Sequence, residues 1–299
     1  MNFDYGNVLT RAFQITWKHK SFWLFMMLPM LIAWVMFIAL AAPVFLLGEN
    51  DEMMGLVFVI WIAVMVLGTI GSFIASTAGT TSLTLGILRA ERGEGSTSFM
   101  DLVRDGFQYF RHALGAILIV QLSVGLVFTI FFLCIAALSA VTMGIAAICL
   151  QPVMILISPL SFLMVAVITG SLVSVIDEDL GAWDAVKRAL KVVRDHVWKF
   201  IIISFIVYFG VSIISGLIFV PAMIPAMAAP IAIEAEVGEN LFILIILASV
   251  CLFIPLMSIF SGIAGTLTTS ALGLAYLRLS RPAGSDVVFA PDEPKNATS

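Results

Sequence analysis

Long apolar runs, broken only by short polar segments, organise this chain from end to end. At roughly 20 apolar residues per bilayer crossing, they predict six spans: residues 22–47, 54–88, 114–138, 143–176, 200–224 and 241–277. Residues 113–176 carry no charge. Basic segments flank that stretch on both sides, which requires an even number of crossings, so a turn is placed at Thr142-Met143-Gly144 or Gln151-Pro152. Pro221, Pro225 and Pro230 are read as ending the fifth span, while Pro152, Pro159 and Pro255 fall within even-numbered runs. The first run is long enough to cross a bilayer and is read as an uncleaved helix rather than a signal sequence.

A second pattern repeats at longer period. Before each odd-numbered span lies a segment with helical apolar spacing, aromatic residues and a basic end. The three are centred on Ala12, Gly106 and Ala189, and aligning them brings His19, His112 and His196 to the same place within one or two positions. Ala78-Gly79-Thr80 likewise matches Ala264-Gly265-Thr266 near the ends of the second and sixth spans. The predicted unit is an interfacial amphipathic helix followed by a transmembrane hairpin, used three times over about 1–90, 95–177 and 178–281. In the third copy Ala182, Val186, Ala189, Val193 and Val197 form an apolar stripe. Asp184–Arg188 and Lys191–Asp195 are spaced for i,i+4 pairing on the other face. Trp183 and Trp198 bracket the segment, Asp177-Glu178-Asp179 precedes it, and Ser98 with Asp101 resembles a capping box in the second copy.

Charge then orients the spans. The polar segments near Arg11–Lys20, 89–111, 187–199 and 278–295 hold all 15 Lys and Arg residues, whereas 49–52 and 234–239 hold only acids. Short basic loops are retained in the cytoplasm, so both termini are expected there. Residues 282–299, rich in Pro, Gly, Ser, Asp and Asn, are expected to form a disordered cytoplasmic tail beyond a single membrane domain at 1–281.

Composition narrows the class. Hydrophobic residues make up 61% and charged residues 11%, with a mean hydropathy of +1.12, against roughly 25% charged residues in soluble domains. The three cysteines lie inside apolar runs and make no disulfide framework. No free basic block points to nucleic acid. No ionisable residue falls within the spans as drawn, and no HExxH or comparable motif occurs, so the chain is expected to be neither an enzyme nor a cofactor or metal carrier.

The stretch Leu180-Gly181-Ala182-Trp183-Asp184-Ala185-Val186-Lys187-Arg188-Ala189-Leu190, with Arg194-Asp195-His196-Val197-Trp198-Lys199, resembles the pre-transmembrane helix of a broad bacterial group. That group includes the membrane domain found beside some glycerophosphodiester phosphodiesterases and stand-alone six-span relatives. Phe22-Trp23-Leu24-Phe25 after Lys18-His19-Lys20 is similar to the start of the same domain. The resemblance extends over residues 1–281 and implies a membrane module in a bacterial cytoplasmic membrane. Since no phosphodiesterase barrel lies in residues 282–299, it carries over no catalytic residue.

Two readings of function remain open. Lys18, His19, Arg111, His112, Lys191, Arg194 and His196 form a basic interfacial set suited to anionic lipid headgroups. Histidine charging near pH ~6.5 would make such binding pH-sensitive. The plainer role of these cations is to anchor helices and fix topology. Thr80, Thr81, Ser82 and Thr84, echoed by Thr266, Thr268, Thr269 and Ser270, serve either helix packing or a polar conduit, as do small-residue spacings such as Gly71–Ala75–Gly79, Ser212–Gly216 and Ser261–Gly265. The expectation is therefore an all-α polytopic protein acting as a membrane scaffold or lipid-interacting module. An uncoupled transporter or lipid translocator is the alternative. Membrane lipids are the expected partners, followed by a second copy or another membrane protein.

Overall fold

A computed structural model describes residues 3–47, 54–94, 98–142, 151–234 and 239–281, which form helices joined by short connections, with no strand among them. In chain order these are α1 (Tyr5–Lys18), α2 (Ser21–Leu47), α3 (Met54–Glu91), α4 (Phe99–Val141), α5 (Gln151–Asp177), α6 (Ala182–Asp195), α7 (Val197–Glu234) and α8 (Glu239–Ser280). Six of them, α2 to α5 with α7 and α8, are long and apolar enough to cross a membrane. The chain is thus an all-α, multi-pass membrane protein. The tail at 282–299 and the Met143-Gly144 part of the predicted turn lie outside the described residues.

Local chemistry explains the helix ends. Asp4 caps α1, its side chain accepting from the Asn7 N–H at 3.0 Å, which satisfies one of the orphan donors of the first turn. His19 ends α1 and His196 ends α6, each donating its backbone N–H back to the helix, to Ile15 and Val193. His112 does not break its helix. In place of the predicted interfacial helix and separate span, α4 runs unbroken for 43 residues. At 1.5 Å per residue α4 is about 65 Å long, twice the ~30 Å hydrocarbon thickness.

Other expectations need correcting. Ser98 occupies the N-cap of α4 but its side chain makes no capping bond. Helix α7 continues through Pro221, Pro225 and Pro230 to Glu234. A proline removes one ladder bond and kinks a membrane helix without having to end it. Arg188 turns to Glu178 at 3.6 Å and to the Ser280 carbonyl, rather than pairing with Asp184.

The helices fall into two compact units. One gathers Met1–His19, Thr81–Phe205 and Thr269–Ser299; the other, Lys20–Thr80 and Ile206–Thr268. In the second, α2 begins in a clasp. A Cβ on Gly79 would meet the Phe25 carbonyl at 2.6 Å, and one on Gly262 would meet the Trp23 carbonyl at 2.8 Å. Thr266 Oγ1 donates to the Phe22 carbonyl at 3.3 Å and to its own helix at Gly262 at 2.8 Å. Such close approach supplies the packing that drives helix association in lipid. Gly71 and Gly216 face open space, so only part of the predicted small-residue pattern is used this way.

The first unit is packed around small and hydroxylic residues near the charged helix ends. Its fully buried side chains include Val8, Leu83, Leu102, Leu172, Ala189 and Tyr276. Tyr276 lies over Gly170, and its hydroxyl is 2.7 Å from Ser174 Oγ. Ion pairs join the helix ends of this unit. Arg11 reaches Glu91 at 3.0 Å and Arg89 reaches Asp105 at 2.7 Å. Asp177, the last residue of α5, accepts from both Arg92 beyond α3 and Arg281 beyond α8. The ends of all three even-numbered spans therefore meet at one carboxylate. Two of the acids that precede α6 thus act as ties, Asp177 to Arg92 and Arg281 and Glu178 to Arg188.

Candidate functional site

Helix α6 begins at N-cap Gly181, carries Asp184 in its first turn and Arg194 in its last, and so complements its own dipole at both ends. Ala185, Ala189, Val192 and Val193 are buried. The buried pole is thus rotated from the predicted stripe towards Ala185 and Val192. Val186, Val193 and Val197 of that stripe line an adjoining groove.

The groove is bounded by α4, α5 and α6, with Val197 at the start of α7, and encloses about 850 Å³. Its long wall on α4 runs from Ile119 through Ser123 and Val127 to Phe131, a span of about 18 Å along the helix axis at 1.5 Å per residue. Leu160, Leu163 and Val167 of α5 form the opposite wall. Lys187 and Arg194 are the charged residues of its lining, and no acid accompanies them. Lys187 Nζ sits 5.2 Å from the Trp183 ring centroid, a cation–π geometry. Neither cation belongs to an ion pair among the described residues. The volume falls within the ~300–1,000 Å³ typical of ligand pockets. Such a lining can hold an apolar chain along its length and an anion at one end.

A smaller cavity of about 420 Å³ lies beside α1, lined by Arg11, Trp17, Lys18, His19 and Ala90. Phe13 and Trp17 stack at its edge, 5.5 Å between centroids. Burial lowers the His19 pKa from its ordinary 6.5, and the charges of Lys18 and Arg11 lower it further. Arg11 is already committed to Glu91.

Of the basic residues singled out from sequence, Lys18 and His19 share this cavity and Arg194 lines the larger groove. Arg111 and His112 are exposed on α4 and Lys191 on α6. His196 Nδ1 lies 3.2 Å from the Val192 carbonyl, so its ring closes the end of α6. Lys187 was missed. The signal for it was the spacing Trp183, Lys187, Leu190, Arg194, which puts aromatic, apolar and cationic groups on one helical face.

Hydroxyls of each even-numbered span bond back onto their own helix. Thr80 donates to Ser76, Ser171 to Val167 and Thr268 to Ala264, each a carbonyl one turn back. Among the described residues, no group of three or more His, Cys, Asp or Glu is placed to hold a metal ion. No family model, curated protein or solved structure matches the chain.

Proposed function

We propose that this protein is a non-enzymatic, lipid-interacting module of a bacterial cytoplasmic membrane, with its basic helix ends in the cytoplasm. The observation that carries the reading is the α4–α5–α6 groove, apolar along its walls and cationic at one end. Exposed Trp17, Trp183 and Trp198 stand at the helix joints beside Lys18, Lys187 and Lys199, a placement suited to the headgroup layer. The resemblance of the α6 region to stand-alone six-span membrane domains agrees with such a role. The back-bonding of Thr80, Ser171 and Thr268 to their own helices weighs against the alternative, an uncoupled transporter or lipid translocator using the even-numbered spans.

The test is native mass spectrometry of the protein released from membranes with its endogenous lipids, paired with solute- and lipid-flux assays in proteoliposomes. Retained lipid without flux is the expected result. Flux above that of empty vesicles would replace this reading with the transporter one.

A further inference from the structure

We infer that the α4–α5–α6 groove is a site for one anionic phospholipid, its phosphate held by Lys187 and Arg194 and one acyl chain lying along α4. This rests on the lipid-interacting reading and deepens it by naming the lipid class. The length of the groove is the first argument. Its ~18 Å wall from Ile119 to Phe131 matches about one leaflet, half of the ~30 Å hydrocarbon core. The second is where the charges stand. Both cations project from α6, which packs across the groove just beyond Ile119 and Val167: a Cβ on Gly115 would meet the Ala182 Cβ at 3.0 Å, and one on Gly170 would meet the Ala189 Cβ at 3.3 Å. A lipid whose tail follows α4 towards Phe131 therefore has its headgroup at the cations.

Charge complementarity selects the class. The lining holds two positive side chains and no carboxylate, and neither cation is paired elsewhere among the described residues. Arg194 offers a planar fork for two phosphate oxygens, and Lys187 a point charge held over Trp183. A zwitterionic lipid brings its own cation to this end and gains less from both. Each basic residue near an anionic headgroup contributes modestly, and the pair corresponds to a preference of about tenfold.

The experiment uses the full chain in detergent, delipidated and then offered phosphatidylglycerol or phosphatidylcholine of identical acyl chains, with bound lipid counted by native mass spectrometry. Wild type is expected to retain phosphatidylglycerol about tenfold better. Lys187→Gln with Arg194→Gln should keep one bound lipid and lose the preference. Val124→Trp, which fills the groove, should lose the lipid of either kind. Circular dichroism confirms that each variant keeps its helices. Equal retention of the two lipids by wild type, or an unchanged preference in the double variant, overturns the headgroup assignment and leaves the lipid-interacting reading standing. Absence of any bound lipid, or a photo-crosslinker at Val127 that captures a protein instead of a lipid, overturns both.

Discussion

Tyr276 and Ser174 offer a quantitative check on the packing of the unit that holds the groove. Each is 1% exposed, and their oxygens are 2.7 Å apart. Tyr276→Phe deletes that bond while leaving the ring over Gly170. A net hydrogen bond contributes about 1 kcal/mol in soluble proteins and about 0.6 kcal/mol on average between membrane helices. The partner left behind adds a desolvation penalty of about 1–3 kcal/mol. Ser174 relieves part of it by turning to the carbonyl one turn back, as Ser171 does. Tyr276→Phe should therefore cost about 1–1.5 kcal/mol, and Ser174→Ala about 1 kcal/mol. Because both remove the same bond, the double variant should fall short of the sum by about 0.6–1 kcal/mol. The assay is reversible unfolding in mixed micelles titrated with sodium dodecyl sulfate and followed by far-ultraviolet circular dichroism. Additivity within about 0.3 kcal/mol would refute the hydrogen bond as a stabilising contact.

Three further outcomes follow from the charged helix ends. His19 should titrate below 6.5. The unfolded chain then binds the proton more readily, so stability falls as pH drops through 6.5 towards the folded-state pKa; Lys18→Gln should raise the His19 value in an NMR titration, and a His19 pKa above 6.5 would contradict its burial. Asp177→Asn should loosen its ties to Arg92 and Arg281, both part-exposed, at a cost of about 0.5–2 kcal/mol in the same micelle assay, and no measurable loss would reduce Asp177 to a passive helix end. A cysteine introduced at Asp51 or Glu236 should react with an impermeant maleimide only from the side opposite the basic segments; labelling from the cytoplasmic side would invert the topology.

The apolar runs foretold the spans because a bilayer crossing demands an uninterrupted length of apolar residues whatever surrounds it. The unbroken α4 was hidden because His112 sits in a segment like those around His19 and His196, and that likeness does not reveal whether the helix stops. The prolines of α7 misled for a related reason: in lipid the backbone has no water to turn to, so a helix outlasts a kink. The cations at the helix ends were visible as a class, yet their sorting was not. Arg11 is committed to Glu91, Arg188 to Glu178, and Arg194 joins Lys187 at a groove whose walls come from three helices. Those pairings depend on which faces meet, and sequence spacing within one helix cannot supply that. Asp177 shows the same limit, since its two partners come from segments far away in the chain.

The most direct measurement follows Trp183, which lines the groove. A variant retaining Trp183 alone of the six tryptophans, each of the others changed to Phe, would be reconstituted with small fractions of lipid brominated along the acyl chain. Brominated phosphatidylglycerol should quench Trp183 more efficiently than brominated phosphatidylcholine, and the difference should vanish with Lys187→Gln and Arg194→Gln. Equal quenching by the two lipids, or a difference that survives loss of both cations, would contradict the anionic-lipid groove.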